Sequence, residues 1–472
     1  MLDMIIRNGR IVDWKNNMNQ IGNLGIKDGR IVFAGGCDAA AKKEIDARNM
    51  LVIPGIIDSH MHASSWLGGP MSFRMLAAAG VTTAMEMAGP VDSVKQYLAA
   101  YGTGLNIALL EQLRPFKNIS GPAPNEAELK AAVEAALENG AYGVKLLGGH
   151  YPMTPESTAS LIRLCAENNA FLAIHAGTTQ QGSNISGMSQ IIELAAGNPF
   201  HLAHINAYCR GMVLPLKDEL SRAEELLLAH PEIETESYLS PINGCSGRCS
   251  SGIPESGVTR NCLIASGYEP TRSGLAAAIR DGIAQVHALR DGQTVLVNET
   301  EGIELWKQKN SDVPVSFSVN PGLSRFFFAV GKRPDGRFLV DSFCTDGGGI
   351  PRNVILSCGL ALVRFKALSL NEFVLKSSYK AACQMGLTSK GHFSPGADAD
   401  VTVADPARQK AVYTINAGRI IYQNNQFPVS GGVLITTPQG ARAPLAPSLG
   451  KLVINVRSLL QKRRGAKLSS GL

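Results

Sequence analysis

The sequence lacks the features that place a chain in a membrane or on a polyanion. It contains no apolar run of about 18 residues, and its N-terminus, MLDMIIRNGR, lacks the charged start and apolar stretch of a signal peptide. It also lacks a Lys/Arg stripe interleaved with aromatic residues, and 45 basic against 39 acidic residues leave a net charge of only +6. We therefore expect no membrane and no nucleic-acid partner.

Cysteine and charge are both sparse. The nine cysteines include no CxxC pair, which is typical of reduced thiols rather than of a disulfide framework, and the cytoplasm is the expected location. Charged residues make up only 18% of the chain against 45% hydrophobic residues. This balance excludes disorder for most of the chain and predicts a large core.

The spacing of the apolar runs predicts the fold class. Residues 1–50 alternate apolar and polar positions between Gly-containing turns, as short antiparallel strands do. From residue 51 onwards, short apolar runs alternate with amphipathic helical stretches, the pattern of a parallel sheet covered by helices. Eight such runs, near residues 52, 82, 106, 143, 171, 201, 233 and 339, predict an α/β fold with a (β/α)8 TIM-like barrel. A doubly wound open sheet is the alternative that this count leaves open.

The same pattern divides the chain into regions. Segments 1–50 and 390–435 are predicted to pair into one small β-sandwich, and the barrel is predicted at 51–389. Roughly 100 residues separate the last two barrel strands where one crossover needs about 25 to 30, so an insertion with a loop-like start is predicted at 240–338. Residues 436–472 are predicted to be a C-terminal extension, whose basic end is expected to be a solvated, frayed tail.

Polar side chains stand at the ends of the predicted barrel strands. The carboxyl ends of these strands form one mouth, where barrel enzymes carry their active sites, so the side chains are expected to converge. They are His60, His62, Lys145, His175, His204 and Asp346. Because alternate residues of a strand share a face, His60 and His62 are placed to bind one ion, and imidazole and carboxylate are common metal ligands. The sequence therefore predicts a metal site.

Lys145 is unexpected in such a set, because a metal ion repels an ammonium group. One hypothesis is that its amine reacts with CO₂ to give a carbamate, whose two oxygens would bridge two metals about 3.5 to 4 Å apart. The other is that Lys145 is an ion-pair partner outside the metal site, or keeps its head in water. The carbamate is the sharper hypothesis.

Two motifs resemble those of a known family. VIPGIIDSHMH, preceded by NGRIVD and IKDGRI, looks like the opening of the amidohydrolase superfamily, in particular its hydantoinase, dihydroorotase and D-aminoacylase branches. GLTSKGHFSPGADADVTVAD resembles the return of that family into its small β-sandwich. The resemblance covers roughly residues 3–425 and implies a (β/α)8 barrel with two divalent metal ions, zinc being the expected metal.

The resemblance also implies a role for each residue at a strand end. The two histidines after the first strand would bind the first ion, and an N6-carboxylated Lys145 and Asp346 would complete its ligands. His175 and His204 would bind the second ion. Asp346 would act as general base and acid while a metal-bridged hydroxide hydrolyses an amide C–N bond. His201, three residues before His204, is expected to be a packed or surface imidazole.

The substrate remains open between two classes of small amide, a cyclic ureide or imide as for hydantoinases and an N-acyl amino acid as for D-aminoacylases. Hydantoinase-like members carry a Tyr five residues after the carboxylated lysine, whereas His150 holds that position here and Tyr151 follows. Either side chain is a candidate to stabilise an oxyanion. The long insertion is more like the D-aminoacylases, and Arg210 and Arg352 are candidates to bind a substrate carboxylate.

Two other functions are weighed against hydrolysis. A mononuclear deaminase of the same superfamily would need no strand-four lysine, and a catalytically inactive dihydropyrimidinase-related scaffold would have lost metal ligands. A homo-oligomer is left open.

Overall fold

Strands from both ends of the chain form one sheet. The computed structural model describes residues 1–64, 68–178, 183–457 and 459–461. The N-terminal and C-terminal strands of the sheet are β1 Leu2–Asp13, β2 Met18–Lys27, β3 Arg30–Gly35, β4 Ala41–Asp46, β5 Leu51–Pro54, β21 Val401–Asp405, β22 Lys410–Asn416 and β23 Arg419–Gln423. Their order is β23-β22-β21-β5-β1-β2-β3, with β4 beside β1. Strands β5 and β21 join the two halves, which confirms that both ends of the chain build one small β domain.

A parallel sheet forms the barrel. Its strands are β6 Ile56–His62, β7 Val81–Glu86, β8 Thr103–Leu113, β9 Gly143–Leu147, β10 Phe171–His175, β11 His201–Leu202, β12 Glu234–Tyr238, β19 Ser342–Cys344 and β20 Gly347–Gly348. The eighth strand is split in two, because β19 pairs with β12 whereas β20 pairs with β6. The ring therefore closes through the bend at Thr345 and Asp346, and the predicted (β/α)8 TIM-like barrel is confirmed.

Helices cover the barrel. They are α1 Met71–Ala78, α2 Val91–Tyr101, α3 Glu126–Glu138, α4 Pro155–Glu167, α5 Ile185–Ala195, α6 Leu216–Ala229, α11 Ile355–Arg364, α12 Leu370–Val374 and α13 Lys380–Gln384, with a 3-10 turn at Ile205–Tyr208 and a π-helical turn at Leu375–Tyr379. Local capping fixes several starts: the Asn125 side chain accepts from the Glu128 amide at 2.9 Å to begin α3. No helix in the described ranges is long and apolar enough to cross a membrane.

The first apolar run spans two sheets. The run at 51–58 was expected to be the first barrel strand, but its first half is β5 of the small sheet and only its second half is β6 of the barrel. Gly55 separates the halves at a close approach, where an added Cβ would lie 2.2 Å from Thr82 Oγ1. Both halves are buried, so hydrophobicity alone shows no boundary between them.

The insertion has its own sheet and core. Its elements are β13 Asn243–Ser246, β14 Cys249–Ser250, β15 Ile253–Pro254, α7 Gly257–Ala265, α8 Arg272–Arg280, β16 Ala284–Arg290, β17 Gln293–Val297, α9 Glu299–Gln308, β18 Pro314–Phe317 and α10 Gly322–Val330. Four strands form an antiparallel sheet in the order β13-β18-β16-β17, around buried Leu263, Ile279 and Trp306. The loop predicted at the start of the insertion is wrong, because the first strand pairs along β18.

The C-terminal extension packs on the barrel. Strand β24 Gly431–Thr436 pairs with the first half of β8, and β25 Leu449–Val453 pairs with β24; a 3-10 turn lies at Gly440–Arg442 between them. The small sheet thus ends before residue 431, short of the predicted boundary at 435. The prediction of a solvated tail is also wrong at Val456, Leu459 and Leu460, which are buried in an apolar cluster; residues 458 and 462–472 lie outside the described residues.

A buried polar network joins the barrel to the small sheet. We call Asn106, Lys390, Asp400 and Asn416 the junction network. The Lys390 ammonium donates to Asp400 at 2.7 Å and also lies 2.8 Å from Asp398. The Asn106 amide donates to Asp400 at 3.2 Å and to Asn416 at 2.9 Å. Each charge in the network has a partner of opposite sign.

Candidate active site

Three predicted metal ligands meet at the mouth of the barrel. His60 and His62 end β6, and Asp346 lies between the two pieces of the eighth strand. Asp346 Oδ1 lies 2.8 Å from His62 Nε2 and 3.7 Å from His60 Nε2. Within the described ranges these three residues form the group whose ligand atoms all lie within 4.8 Å of one another. Met61, between the histidines, lies on the opposite face of the strand, buried in an apolar cluster with Phe73 and Leu76 of α1, as strand alternation predicts.

The backbone bend aims Asp346 at the histidines. Its φ is +50°, and its amide donates to the His60 carbonyl oxygen at 2.8 Å. The preceding residue, Thr345, donates through both its amide and its hydroxyl to the buried Asp58 carboxylate. A non-glycine residue with positive φ is uncommon and is held by its surroundings, here by β6 itself.

The other predicted histidines lie beside these three. The ring of His204 stacks on His60 with the centroids 4.8 Å apart, and it meets the ring of His175 at 4.6 Å. His150 continues the row, 5.1 Å from His175. We call the convergent residues His60, His62, His150, His175, His204, Lys145, Asp346, Arg210 and Arg352 the mouth cluster. The structure thus brings together imidazoles from four different strand ends.

Burial favours the neutral form of four imidazoles in the mouth cluster. Desolvation lowers the pKa of His60 and of His175 well below the usual value, and it lowers the pKa of His150 and of His204 to about 4. Neutral imidazole is the form that ligates a metal ion. Burial also opposes the ionisation of Asp346, but the Arg352 guanidinium and the hydrogen bond from His62 hold its carboxyl pKa well below the usual range.

Lys145 lies inside the barrel rather than at its surface. Its side chain is fully buried on β9, and its Nζ donates to the Met87 sulfur at 3.3 Å. The alternative with the head in water is therefore wrong. No carboxylate of the described residues forms an ion pair with Lys145. Burial lowers its pKa to about 8, although Glu236 and Asp346 attract the charged form.

Two arginines occupy the same mouth. Arg352 is fully buried and donates from Nη1 to Asp346 Oδ2 at 3.0 Å, with its guanidinium 4.6 Å above the Tyr238 ring. Arg210 donates to the Tyr238 hydroxyl at 3.0 Å, and that hydroxyl donates to Asn320 of the insertion at 3.0 Å. Arg210 Nε and two nitrogens of Arg352, Nε and Nη2, find no hydrogen-bond partner in the part of the chain that the structure describes.

The two oxyanion candidates differ in their surroundings. His150 contacts the His175 ring and so belongs to the mouth cluster. The Tyr151 ring lies under the guanidinium of Arg114, which is 4.2 Å from its centroid. His150 is therefore the better placed of the two.

One buried carboxylate was missed at the sequence level. Glu236 on β12 accepts from His60 Nδ1 at 2.7 Å and from the His204 amide at 2.8 Å, and its other oxygen contacts His201 Nε2. His201 is indeed a packed imidazole, 5.6 Å from the Phe171 ring. The sequence carried one indication of Glu236: it lies inside a predicted buried strand, EIETESY, where an unpaired charge is rare.

No family model matches the chain. A curated allantoinase from Rubrobacter xylanophilus is 37% identical over 91 residues, which are 18% of this chain and 19% of that protein. The match thus spans about a fifth of the length of this relative.

Solved structures resemble nearly the whole chain. The N-acyl-D-glutamate deacylase from Bordetella bronchiseptica, complexed with zinc and a phosphonate inhibitor, has a TM-score of 0.66 at 18% identity and covers 91% of this chain and 98% of its own. A D-aminoacylase, described as defining a novel subset of amidohydrolases, has a TM-score of 0.63 at 16% identity and covers 92% and 99%. The D-hydantoinase from Thermus sp. has a TM-score of 0.58 at 15% identity and covers 91% and 98%. The resemblance to the amidohydrolase superfamily is confirmed, and at these identities it shows the fold alone.

Proposed function

We propose that this chain is a metal-dependent amidohydrolase that hydrolyses the C–N bond of an N-acyl amino acid. The observation that carries this proposal is the pair of guanidinium groups, of buried Arg352 and partly buried Arg210, beside the group formed by His60, His62 and Asp346. A cyclic ureide or imide is the second substrate class. The N-acyl amino acid is favoured because it brings a carboxylate to guanidinium nitrogens that lack a partner among the described residues.

The donor set fits divalent metal ions. His60, His62, Asp346 and an N6-carboxylated Lys145 would hold the first ion, with His175 and His204 for the second. The Nδ1 atoms of His62 and His204 are buried and have no hydrogen-bond partner within the described ranges, which suits groups that await a ligand. Imidazole with carboxylate is a common donor set for zinc, the expected metal. A bound divalent ion supplies a lowered pKa for water and a positive charge beside a carbonyl oxygen.

Asp346 is the proposed general base and acid. Its low pKa leaves the carboxylate ionised near neutral pH, ready to accept a proton from the attacking water. One carboxylate oxygen faces the imidazoles and the other faces Arg352, so the group has a fixed orientation. Asp346 then returns the proton to the leaving nitrogen, because an amide anion is a poor leaving group.

His150 and Arg210 would orient the substrate. His150 is neutral at physiological pH and keeps one N–H donor, which can bind the oxygen of the scissile carbonyl as negative charge develops there. Arg210 can bind the substrate carboxylate while Tyr238 holds its guanidinium from the other side. The insertion would contribute to specificity through Asn320, which accepts from Tyr238.

The proposal is tested by a turnover screen and a metal assay. Zinc-loaded protein is incubated with N-acyl-D- and N-acyl-L-amino acids, hydantoins, dihydropyrimidines and dihydroorotate, and we expect hydrolysis of an N-acyl amino acid. About two ions per chain supports hydrolysis, about one favours the deaminase, and none favours the inactive scaffold. Absence of hydrolysis across the whole screen would contradict the proposal.

The carboxylation of Lys145 has its own test. Lys145→Ala is expected to lose both turnover and bound metal, with partial rescue by added acetate or propionate in place of the carbamate. Full activity and full metal content in Lys145→Ala would contradict the carbamate. Lys130→Ala, a change at an exposed lysine on α3 paired with Glu134, is the matched control.

A further inference from the structure

We propose that Glu236 is a positioning residue that fixes predicted ligands of both metal ions from within the barrel. This inference rests on the proposed function, because it concerns metal binding. Glu236 is fully buried on β12, and its carboxylate accepts from groups at the ends of two other strands, β6 and β11. Such a carboxylate is retained at a cost in desolvation, which its partners must offset.

The contact with His60 selects one tautomer. His60 Nδ1 donates to Glu236 Oε1 at 2.7 Å, so the proton is held on Nδ1. The other nitrogen, Nε2, then offers its lone pair toward Asp346, which lies 3.7 Å away. Fixing the tautomer and the ring orientation from the far nitrogen is how carboxylates behind histidine ligands raise metal affinity.

The contact with His204 fixes a bend in the backbone. The regular part of β11 ends at Leu202, and His204 has a φ of +29°, outside the usual strand region. Its amide donates to the same Glu236 oxygen at 2.8 Å. This bond holds the bend that stacks the His204 ring on His60. One carboxylate oxygen therefore sets the positions of a ligand predicted for the first ion and of a ligand predicted for the second.

A third side chain, His201, contacts Glu236 from the side of the barrel core. Its Nε2 contacts the second oxygen of Glu236, and its ring packs 5.6 Å from Phe171. With both oxygens engaged, the carboxylate cannot rotate away from His60. The three side chains form a continuous line from the barrel core to the metal site.

The experiment compares two buried glutamates. Glu236→Gln keeps the size of the side chain but replaces the charged acceptor of the His60 ring N–H and the His204 amide by a neutral carboxamide. The Co²⁺ affinity of metal-free protein is therefore expected to fall about 10- to 100-fold. The visible absorption of bound Co²⁺ is expected to change with the ligand geometry. Glu219→Gln is the matched control. Glu219 is equally buried and accepts from three backbone amides, but it contacts no histidine of the described chain. The Co²⁺ affinity of Glu219→Gln is expected to stay within about twofold of the wild-type value.

A metal-free measurement separates this inference from the proposed function. Histidine nitrogen NMR of the apoprotein is expected to show His60 protonated at Nδ1 in the wild type and a mixture of tautomers in Glu236→Gln. If the wild type binds no Co²⁺, the proposed function fails and the NMR result still tests Glu236. Wild-type Co²⁺ affinity together with an unchanged His60 tautomer in the variant would overturn the proposal.

A second variant covers a failure of Glu236→Gln to fold. His201→Gln leaves the bond from His60 to Glu236 in place and removes only the contact of the His201 ring with the second oxygen of Glu236. We expect it to weaken Co²⁺ binding by a smaller factor, about three- to tenfold, and to retain the His60 tautomer. Unchanged Co²⁺ binding in His201→Gln would contradict a role for the contact between His201 and Glu236.

Discussion

The two buried polar clusters of this molecule are organised in opposite ways. In the junction network, Lys390 meets two carboxylates, and the Asn106 amide nitrogen has acceptors on both sides. In the mouth cluster, nitrogens of Arg210, Arg352 and His62 have no hydrogen-bond partner within the described chain. Most residues of both clusters are buried, so burial alone does not separate them.

This difference in hydrogen bonding indicates a different role for each cluster. A buried polar group without a partner costs about 1 to 3 kcal/mol, and such groups persist where a ligand completes them. The paired junction network contributes to the docking of the barrel on the small sheet. The mouth cluster lowers stability in exchange for donors that are free to bind. Variants of the first are therefore expected to lose the fold, and variants of the second to lose function.

Replacing the carboxylate at the centre of the mouth cluster is the largest expected change. Asp346→Asn removes the group that accepts and returns the proton, so kcat is expected to fall about 10²- to 10⁴-fold on the substrate that the screen identifies. Turnover is measured at saturating substrate on protein of verified metal content. A loss of less than about threefold would show that another group carries the proton.

The junction network is tested by removing its cation. Lys390→Met leaves the buried Asp400 without its positive partner, whereas Asp398 keeps its ion pair with Arg30, and the free energy of unfolding is expected to fall by about 3 to 5 kcal/mol. Urea denaturation near neutral pH measures this loss, while kcat per folded molecule is expected to stay the same.

The matched control is a lysine in an exposed ion pair. Lys380 lies 3.6 Å from Asp341, and Lys380→Met is expected to change stability by less than about 1 kcal/mol. If Lys390→Met costs no more than this control, the junction network does not hold the two domains together as we describe.

Arg210 tests whether the unpaired donors of the mouth bind a substrate. Arg210→Gln is expected to raise KM about 10- to 100-fold for a substrate with a free carboxylate and to leave kcat nearly unchanged, because a hydrogen bond to a charged group contributes about 1.5 to 3 kcal/mol. A substrate amide that lacks the carboxylate should show no such rise. Arg222→Gln, at an exposed arginine paired with Glu225, is the control. Equal KM increases for both substrates would remove Arg210 from substrate binding.

Lys376 is a third kind of buried charge, and its expected effect is on the pH dependence of the free energy of unfolding. Its ammonium is fully buried and donates to two carbonyl oxygens, those of Phe328 at 3.3 Å and Val340 at 2.8 Å, and burial lowers its pKa to about 7. Lys390 has the opposite shift: burial opposes its charge, but Asp400 and Asp398 raise its pKa.

The sign of the pH dependence follows from the lowered pKa of Lys376. Between about pH 7 and the ordinary lysine pKa of about 10.4, the unfolded chain binds a proton that the folded chain does not. This group therefore makes the free energy of unfolding rise with pH across that window, by at most about 1.4 kcal/mol per pH unit, and adds no slope below it. Urea denaturation at about pH 7.5 and about pH 9.5 should show a smaller rise in Lys376→Met than in the wild type. An identical rise in both proteins would contradict the shift.

Strand periodicity predicted much of the site because, in a barrel, the place of a residue along its strand determines where its side chain lies. Residues at the carboxyl ends of parallel strands converge, so the four histidines and Asp346 needed no knowledge of side-chain packing. Alternation alone placed His60 and His62 on one face. The small sheet was predicted for a similar reason, since its strands alternate clearly at both ends of the chain.

Features that depend on contacts between distant segments were not predictable in this way. The run EIETESY carries acidic residues at alternate positions, and only the three-dimensional arrangement shows that Glu236 meets His60 from another strand. The position of β24 against β8 likewise depends on long-range packing. Gly55 concealed a sheet boundary, because residues on both sides of it are equally apolar.

The split eighth strand has a consequence for the order in which the protein can be made. His62 and its contact Asp346 are separated by 284 residues, and the bend that carries Asp346 is also the seam of the barrel. During synthesis the first-strand histidines leave the ribosome long before the seam does, and closing so long a loop is slow. The proposed metal site can therefore form only after the ring has closed, so metal binding during refolding is expected to lag behind the folding of the earlier strands.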